Sequence, residues 1–171
     1  MNWRLRRASA DDAAILSLVA GATFLEAFAG VLDGADIVAH VGRNSSADAF
    51  ARYIGAGAIA TLAEADQGAA PLGYTLLTTP DLPVEPRAGD IELKRIYALA
   101  PTHGQGLGPA LMQCAVDDAR AGGHRRLLLG VYGGNVRAHR FYTKQGLSVI
   151  GERRFLVGAT WHDDLVFARD L

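Results

Sequence analysis

Leu127 to Val131 is a run of five residues without a polar side chain, and it constrains the fold more than any other segment. A strand with one wet face would alternate apolar and polar residues, whereas an unbroken apolar run is typical of a strand buried on both faces. Helices must therefore cover both faces of the sheet that contains this strand. Two segments have the apolar spacing of such helices, one near Ile15 and Val19 and one near Leu111 and Ala115.

The remaining patterns predict an α/β fold with the element order β α α β β β α β α β β, in which a mixed sheet lies between helices. The second helix, about residues 35–54, is the least regular, because residues 42–46 interrupt it. Residues 59–65 and 72–78 have the pattern of a hairpin. The chain of 171 residues has the length of one domain, and no linker or repeat divides it. We therefore expect residues 1–171 to form a single domain.

The strand from Ile91 to Leu99 changes phase in its middle. Ile91 and Leu93 share one parity, two polar residues follow, and Ile96 and Ala98 continue on the other parity. Because side chains of a strand point alternately to opposite faces, this slip of one residue predicts a β-bulge at the two polar positions.

Three glycines follow this strand in the segment Gly104-Gln105-Gly106-Leu107-Gly108. Glycine lets a backbone approach a ligand closely, and unpaired N–H groups at a helix N-terminus attract phosphate oxygens. Pro109 then opens the next helix at a position where its missing N–H costs nothing. The segment predicts a pyrophosphate site; the alternative is a tight strand-to-helix turn that binds no ligand. Its spacing is neither G-x-G-x-x-G nor G-x-x-x-x-G-K-[ST].

A longer pattern surrounds this turn within about residues 91–150. It consists of Glu92-Leu93-Lys94-Arg95-Ile96-Tyr97, the glycine turn, Asn135, Ala138, Phe141-Tyr142 and Gly146-Leu147. The pattern resembles the GNAT superfamily of N-acetyltransferases. The resemblance implies an acetyl-CoA-dependent acyltransferase in which the bulged strand and the next parallel strand splay apart.

The resemblance also implies where acetyl-CoA binds. The pantetheine arm would lie in the gap between the two strands and pair with backbone groups of Ile96, Tyr97 and Ala98. The pyrophosphate would sit on the turn and be bound by every backbone N–H group there except the missing one of Pro109; the turn comprises Gly104, Gln105, Gly106, Leu107, Gly108 and Pro109. His103 stands where the family usually has Gln or Arg, so we expect altered binding rather than loss.

The helix after Asn135 is implied to complete the cofactor site. Asn135 is expected to cap this helix and also to bond the pantetheine amides, with Ala138 in the same turn. Arg137 and Arg140 are placed to meet the 3′-phosphate of CoA.

Acetyl transfer needs a donor for the thioester carbonyl, an acid for the leaving thiolate and a base for the amine. The resemblance places Tyr142 beside the sulfur as the general acid; the alternative is a core aromatic packed beside Phe141. Glu92 would take the amine proton directly or through water, and its alternative is a surface carboxylate. Backbone N–H groups near Ala98 would serve the carbonyl.

The near-neutral net charge of −1 conceals a split along the chain. Residues 1–93 hold 6 basic and 12 acidic side chains, whereas residues 94–154 hold 10 basic and 3 acidic ones. The basic segment contains the predicted phosphate site, and acids of the first half would favour a cationic acceptor; these are Glu26, Asp33, Asp36, Asp81 and Glu85. Chance clumping of solvated surface charge is the alternative.

The acceptor is therefore expected to be the primary amine of a small cationic molecule, attacked directly in a ternary complex. Residues 23–28 resemble the PaiA-like polyamine acetyltransferase branch, which makes a polyamine one candidate. The enzymatic alternative is a protein amino group. The non-enzymatic alternatives are a regulatory module that binds acyl-CoA and, more weakly, a dinucleotide-binding module.

Composition bounds the setting of the protein. One cysteine, Cys114, excludes an internal disulfide and a Cys-rich metal site, so we expect a reducing, cytoplasmic location and no metal. Apolar stretches are too short for a membrane helix. The arginine pairs at residues 125–126 and 153–154 give no nucleic-acid pattern, and a homodimer is one open oligomeric state.

Overall fold

The structure is a computed structural model that describes residues 2–157 and 160–171. The strands are β1 (Trp3–Arg7), β2 (Ile59–Ala65), β3 (Pro71–Thr78), β4 (Asp90–Ala98), β5 (Arg126–Tyr132), β6 (Ser148–Val157) and β7 (Thr160–Asp170). The helices are α1 (Ala13–Phe28), α2 (Gly34–Asn44), α3 (Ala47–Gly55), α4 (Leu107–Ala121) and α5 (Val136–Lys144). Two short 3-10 turns, Ala10–Asp12 and Ala100–Thr102, precede α1 and the glycine turn.

The strands form one sheet in the order β1-β2-β3-β4-β5-β7-β6. All neighbours are antiparallel except β4 and β5, which are parallel. These two strands pair only where Asp90, Ile91 and Glu92 face residues 126–128. Beyond that point each strand continues without the other, so a wedge-shaped gap opens in the middle of the sheet. The expected mixed sheet and its splayed parallel strands are confirmed.

The predicted bulge lies at Lys94 of β4. Leu76 of β3 is opposite Arg95 and Leu77 is opposite Leu93, so Lys94 has no partner across the ladder. Ile91 and Leu93 before the bulge and Ile96 after it therefore pack in the same core layer. The extra residue keeps the apolar side chains of β4 on one face while the strand bends away from β5.

Helices cover both faces of the sheet, as the apolar run in β5 predicts. Leu127 and Leu129 of β5 pack with Met112 and Val116 of α4 on one face. On the other face, β2 and β3 pack against α1 and α3, where Leu16 and Phe50 are fully buried. We call these the α4–α5 face and the α1–α3 face.

Two helix boundaries differ from the sequence-based expectation. The interrupted second helix is two helices, because Ser46 leaves the helical conformation and its Oγ accepts the N–H of Ala49 as the cap of α3. The helix after the glycine turn begins at Leu107 rather than at Pro109. Pro109 still lies among the first residues of the helix, whose N–H groups have no intrahelical partner.

Candidate active site

The gap is lined on the β4 side by the backbone of Ile96 and Ala98. Leu99 donates its N–H to a β3 carbonyl at 2.8 Å, and Tyr97 lies in the same antiparallel ladder. Because consecutive residues of a strand turn their N–H and C=O groups to opposite sides, Ile96 and Ala98 direct theirs into the gap. The parting of β4 from β5 thus leaves an open strand edge inside the protein.

Tyr97 is a correction to the predicted cofactor contacts. Its backbone faces β3, opposite Tyr74, and its ring stacks on the Tyr74 ring with centroids 6.0 Å apart. The backbone of Tyr97 is therefore engaged in the sheet and does not line the gap.

The glycine turn connects this open edge to the N-terminus of α4. Gly104 and Gly106 have φ of 79° and 84°, a left-handed conformation that glycine adopts without strain. Four backbone N–H groups of the turn have no acceptor in the described part of the chain: those of Gly104, Gly106, Leu107 and Gly108. The expectation that every N–H group of the turn is free for phosphate is wrong for Gln105, because its N–H donates to Thr102 O at 3.2 Å.

These features fit the diphosphate of acetyl-CoA. Unpaired N–H groups at a helix N-terminus form an anion site, and here an open strand edge leads directly into it. A Cβ on Gly108 would lie 3.6 Å from the Phe141 ring, so the start of α4 packs closely against α5. The turn and α5 therefore lie side by side.

His103 closes the turn back onto β4. Its Nε2 lies 2.9 Å from Ala98 O, which is one of the carbonyl groups directed into the gap. The ring is exposed. A ligand that pairs with Ala98 therefore competes with His103 for this carbonyl.

Asn135 caps α5 as predicted. Its Oδ1 accepts the N–H of Ala138 at 3.1 Å, which satisfies one of the free donors at the start of the helix. The Ala138 N–H is thereby occupied, so this residue contributes packing, not a free backbone donor. Arg137 and Arg140 are both exposed on the same helix.

Tyr142 lies in the last turn of α5 with its ring buried between Phe141 and Phe167, at centroid distances of 5.4 and 5.7 Å. Burial raises the pKa of its phenol above the usual value, and the nearby Tyr97 raises the pKa further. Its hydroxyl has no hydrogen-bond partner among the described residues, yet it is not sealed from solvent. The residue thus has the packing of a core aromatic and a free polar end.

Glu92 stands at the point where β4 and β5 part, on the α1–α3 face. It belongs to the last residue pair between the two strands and is 2% exposed. Its Oε2 accepts the N–H of Asp81 at 2.8 Å, and Oε1 lies 3.8 Å from Lys94 Nζ. The alternative interpretation of Glu92 as an exposed surface carboxylate is therefore wrong, because the side chain is buried and hydrogen-bonded.

The five acids that suggested a cationic acceptor are separated in space and role. Asp33 caps α2 by accepting the N–H of Ala35, and Asp36 accepts the Thr160 hydroxyl at 3.2 Å. Glu26 accepts the N–H of Ala100 at 2.9 Å, next to the open end of β4. The other two, Asp81 and Glu85, lie exposed on the loop before β4.

Sequence reasoning missed a charged pair on the α1–α3 face beside the gap. Arg153 of β6 and Asp164 of β7 are opposite each other, and Nε and Nη2 of Arg153 both lie 3.2 Å from Asp164 Oδ2. Burial raises the pKa of Asp164 above its usual value, against the opposite effect of Arg153. The sequence offered one signal: each residue has a position in the alternation of its own strand. This signal reveals the pair once the register of the β6–β7 hairpin is known.

One arginine of the pairs considered for nucleic acid is buried in an ion pair. Arg126 forms a bidentate ion pair with Asp90, with contacts of 2.7 and 2.6 Å, and is 6% exposed. This pair lies where β4 and β5 are still joined. Within residues 2–157 and 160–171, no group of three or more His, Cys, Asp or Glu side chains could hold a metal ion. No helix in those ranges is long and apolar enough to span a bilayer.

Comparisons with known proteins show the family of the chain. Residues 35–147 match the acetyltransferase (GNAT) family. Uncharacterized N-acetyltransferases of Mycobacterium bovis and Mycobacterium tuberculosis are 35% identical over 160 residues, covering 94% of this chain and 98% of each relative.

Solved structures show the same fold. The PaiA N-acetyltransferase of Thermoplasma acidophilum in complex with coenzyme A superposes with a TM-score of 0.81 at 20% identity, over 100% of both chains. YncA of Salmonella typhimurium with acetyl-CoA gives a TM-score of 0.68 at 18% identity, over 100% of this chain and 95% of that one. The chain therefore belongs to the acetyltransferase (GNAT) family and is an acetyl-CoA-dependent N-acetyltransferase.

Proposed function

We propose that the protein acetylates a primary amine of a small molecule by direct attack in a ternary complex. The observation that carries the proposal is the set of four unbonded N–H groups of the glycine turn, which follows the open edge of β4 along the chain. These groups suit the diphosphate of acetyl-CoA, the open edge suits its pantetheine arm, and the unbonded hydroxyl of Tyr142 suits chemistry at the thioester.

Acetyl-CoA supplies an acetyl group as a thioester: a nitrogen–carbon bond forms, the carbon–sulfur bond breaks, and the amine proton must leave while the sulfur gains one. The chain has to hold one proton donor and one proton acceptor on the two sides of this reaction. Tyr142 on the α4–α5 face and Glu92 on the α1–α3 face are the proposed groups.

Tyr142 is proposed as the proton donor. Because burial raises the pKa of its phenol, the hydroxyl stays protonated throughout the neutral range. The ring is fixed by Phe141 and Phe167, so the hydroxyl is presented in one position. A donor that is already oriented needs no rearrangement when the sulfur departs.

Glu92 is proposed to receive the amine proton, directly or through water. Its carboxylate is held by the Asp81 N–H at the closed end of the gap, where an amine arriving from the α1–α3 side would meet it. Backbone N–H groups directed into the gap, that of Ala98 among them, are the proposed donors to the thioester carbonyl.

The Tyr142→Phe variant tests the proposal. We expect turnover to fall by at least about 100-fold, because a positioned general acid typically contributes that much, while the affinity for acetyl-CoA stays within about twofold. Free thiol release measures turnover, and calorimetry measures affinity. Tyr53→Phe, which removes a hydroxyl from helix α3, outside the proposed cofactor site, should change neither.

The acceptor is identified with a panel of amines in the same assay. Spermidine and related amines test the polyamine candidate, and a peptide with a free N-terminal amino group tests the protein candidate. The alternative is a regulatory module that binds acyl-CoA. It would be favoured if no acceptor raised thiol release above the background hydrolysis of acetyl-CoA, while Tyr142→Phe bound acetyl-CoA as tightly as the wild type.

A further inference from the structure

The Arg153–Asp164 pair lies directly beside the gap, on the side from which an acceptor would arrive. Asp164 is opposite Tyr132 at the end of β5, and burial together with the charge of Asp164 raises the pKa of Tyr97 on β4. The pair therefore lies where β5 has left β4, on the opposite face from the glycine turn proposed for CoA.

A glycine on β5 makes room for the guanidinium of Arg153. A Cβ on Gly130 would lie 2.6 Å from both Cζ and Nη2 of Arg153, so the guanidinium rests on the bare backbone of β5. Gly130 is two residues past the last pair that joins β5 to β4. The guanidinium also lies against the Phe155 ring, with Cζ 4.7 Å from the centroid. Arg153 is thus clamped at the mouth of the gap.

Both members of the pair keep unused hydrogen-bonding groups. Asp164 receives both contacts from Arg153 on Oδ2, and its Oδ1 has no partner among the described residues. Nη1 of Arg153 likewise has no partner in residues 2–157 and 160–171, and none of these atoms is fully sealed from solvent. One open carboxylate oxygen and open guanidinium donors therefore stand side by side.

Stability alone does not explain this pair. Burying two charges costs desolvation energy that their attraction repays only with complete hydrogen bonding, and here the bonding is incomplete. The neighbouring residues Arg154 and Asp163, on the other face of the same hairpin, are 67% and 93% exposed and lie 3.9 Å apart. The same charges are thus solvated one residue away but largely buried beside the gap.

Three basic side chains of this face lie near the gap, and Glu26 of α1 adds a third carboxylate to those of Glu92 and Asp164. Lys94 lies 3.8 Å from Glu92, and Arg153 is opposed by Asp164. Arg95 has no acid partner among the described residues and instead donates to Asn44 O and Ser45 Oγ. Nη1 of Arg153 therefore remains available to an anionic group that the acceptor carries next to its amine.

We infer that the acceptor is an α-amino carboxylic acid, whose carboxylate binds the guanidinium of Arg153 and whose ammonium is held by Oδ1 of Asp164. The planar fork of arginine matches a carboxylate in two parallel hydrogen bonds. Asp164 both orients Arg153 through Oδ2 and positions the amine at the gap. This inference rests on the proposed acetyl transfer and competes with the polyamine candidate.

Matched acceptor pairs test the inference. A set of L-amino acids is compared with the amines made by their decarboxylation, such as phenylalanine with 2-phenylethylamine and lysine with 1,5-diaminopentane, with spermidine added. For at least one pair, we expect kcat/KM for the amino acid to exceed that for the amine by at least about tenfold, as one charged hydrogen-bonded pair provides. Equal or better rates with every decarboxylated amine, or with spermidine, overturn the inference and leave acetyl transfer intact.

Arg153→Gln should reduce the preference for the carboxylate to about one, mainly through KM. Arg154→Gln is the matched control, because it removes the adjacent charge on the exposed face, and it should keep the wild-type preference. Retention of the preference in Arg153→Gln contradicts the inference. If this variant does not fold, the double variant Arg153→Gln/Asp164→Asn removes both charges together and carries the same expectation; CoA binding reports its fold.

Binding separates this inference from the proposed activity. With saturating CoA present, the melting temperature of the wild type should rise with the preferred amino acid and not with its decarboxylated partner. If the amino acid raises the melting temperature of the wild type but not of Arg153→Gln, and no variant transfers acetyl groups, the acceptor site is supported and the proposed activity is refuted. No rise with any amino acid and no carboxylate preference in the rates refutes the acceptor site.

Discussion

Gly106 shows at the scale of one residue how the cofactor site depends on backbone conformation. It is the N-cap of α4 and has φ of 84°, and its own N–H and those of Leu107 and Gly108 have no acceptor among the described residues. A Cβ at this position would meet no protein atom within 4 Å. The cost of a side chain here is therefore conformational, not steric.

Gly106→Ala should weaken acetyl-CoA binding by roughly tenfold, because relaxation of the strained turn misaligns a hydrogen bond to a charged group. It should also cost about 1 kcal/mol of stability, the penalty for alanine in the left-handed region, which lowers the melting temperature by roughly 2–4 °C. Calorimetry and thermal unfolding measure the two effects.

Gly57→Ala is the matched control for this prediction. Gly57 has φ of 91° after α3 and would also meet nothing within 4 Å. We expect the same loss of stability without a loss of CoA affinity. An equal loss of affinity in both variants would mean that stability, not the turn, limits binding.

At the scale of elements, β4 was the most predictable part of the site. The phase slip between Leu93 and Ile96 is a local property of the sequence, and it located the bulge. The choice of backbone groups that face the gap is not a local property of the sequence. It depends on the register of β4 with β3, and in this register the backbone of Tyr97 pairs with β3. The sequence showed the division of the second helix only as an interruption. A serine can cap a new helix or remain inside a continuous one, and the two states differ little in free energy.

The exposed arginines of α5 provide a prediction about the far end of CoA. If Arg137 and Arg140 meet the 3′-phosphate, replacing both with Gln should weaken CoA binding by about 3–10-fold at low salt, the effect of two solvated ion contacts. Binding of dephospho-CoA, which lacks that phosphate, should not change. Calorimetry with both ligands at two salt concentrations measures the difference.

Arg120→Gln in the last turn of α4 is the charge-matched control for the arginines of α5. It should affect neither ligand. Equal weakening of CoA and dephospho-CoA by the α5 double variant would assign these arginines to general electrostatics and not to the 3′-phosphate.

At the scale of the whole molecule, the charge split of the sequence acquires a different meaning. The basic segment contains the glycine turn and α5, as expected, but it also contributes Arg153 to the other face. Many acids of the first half serve the fold: Glu64 and Asp12 bind Arg6, and Asp90 binds Arg126. Net charge along the chain therefore points to the segment proposed for the cofactor, whereas the proposed acceptor side depends on strand register across β5, β6 and β7, which no local pattern encodes.

These ion pairs predict how the stability of the molecule depends on pH. Hydrogen bonds from Arg6 lower the pKa of Asp12 to about 2 and lower that of Glu64, and Arg126 lowers the pKa of Asp90. In the unfolded chain these carboxyls titrate near about 4. The unfolded state thus binds protons first as the pH falls, so their stabilisation is complete above about pH 5 and is lost from there toward about pH 2.

Asp12→Asn isolates one part of this acid sensitivity. It should lower the unfolding free energy at pH 7 by roughly 1–2 kcal/mol, because the ion pair with Arg6 and the bond from the Ser9 N–H are weakened. At pH 3 its difference from the wild type should shrink, since Asp12 in the unfolded wild type is then mostly protonated. Asp11→Asn, at the exposed neighbouring position, should lie within about 0.5 kcal/mol of the wild type at both pH values. Urea unfolding at the two pH values measures these differences, and a gap between Asp12→Asn and the wild type that widens at pH 3 would reverse the predicted sign.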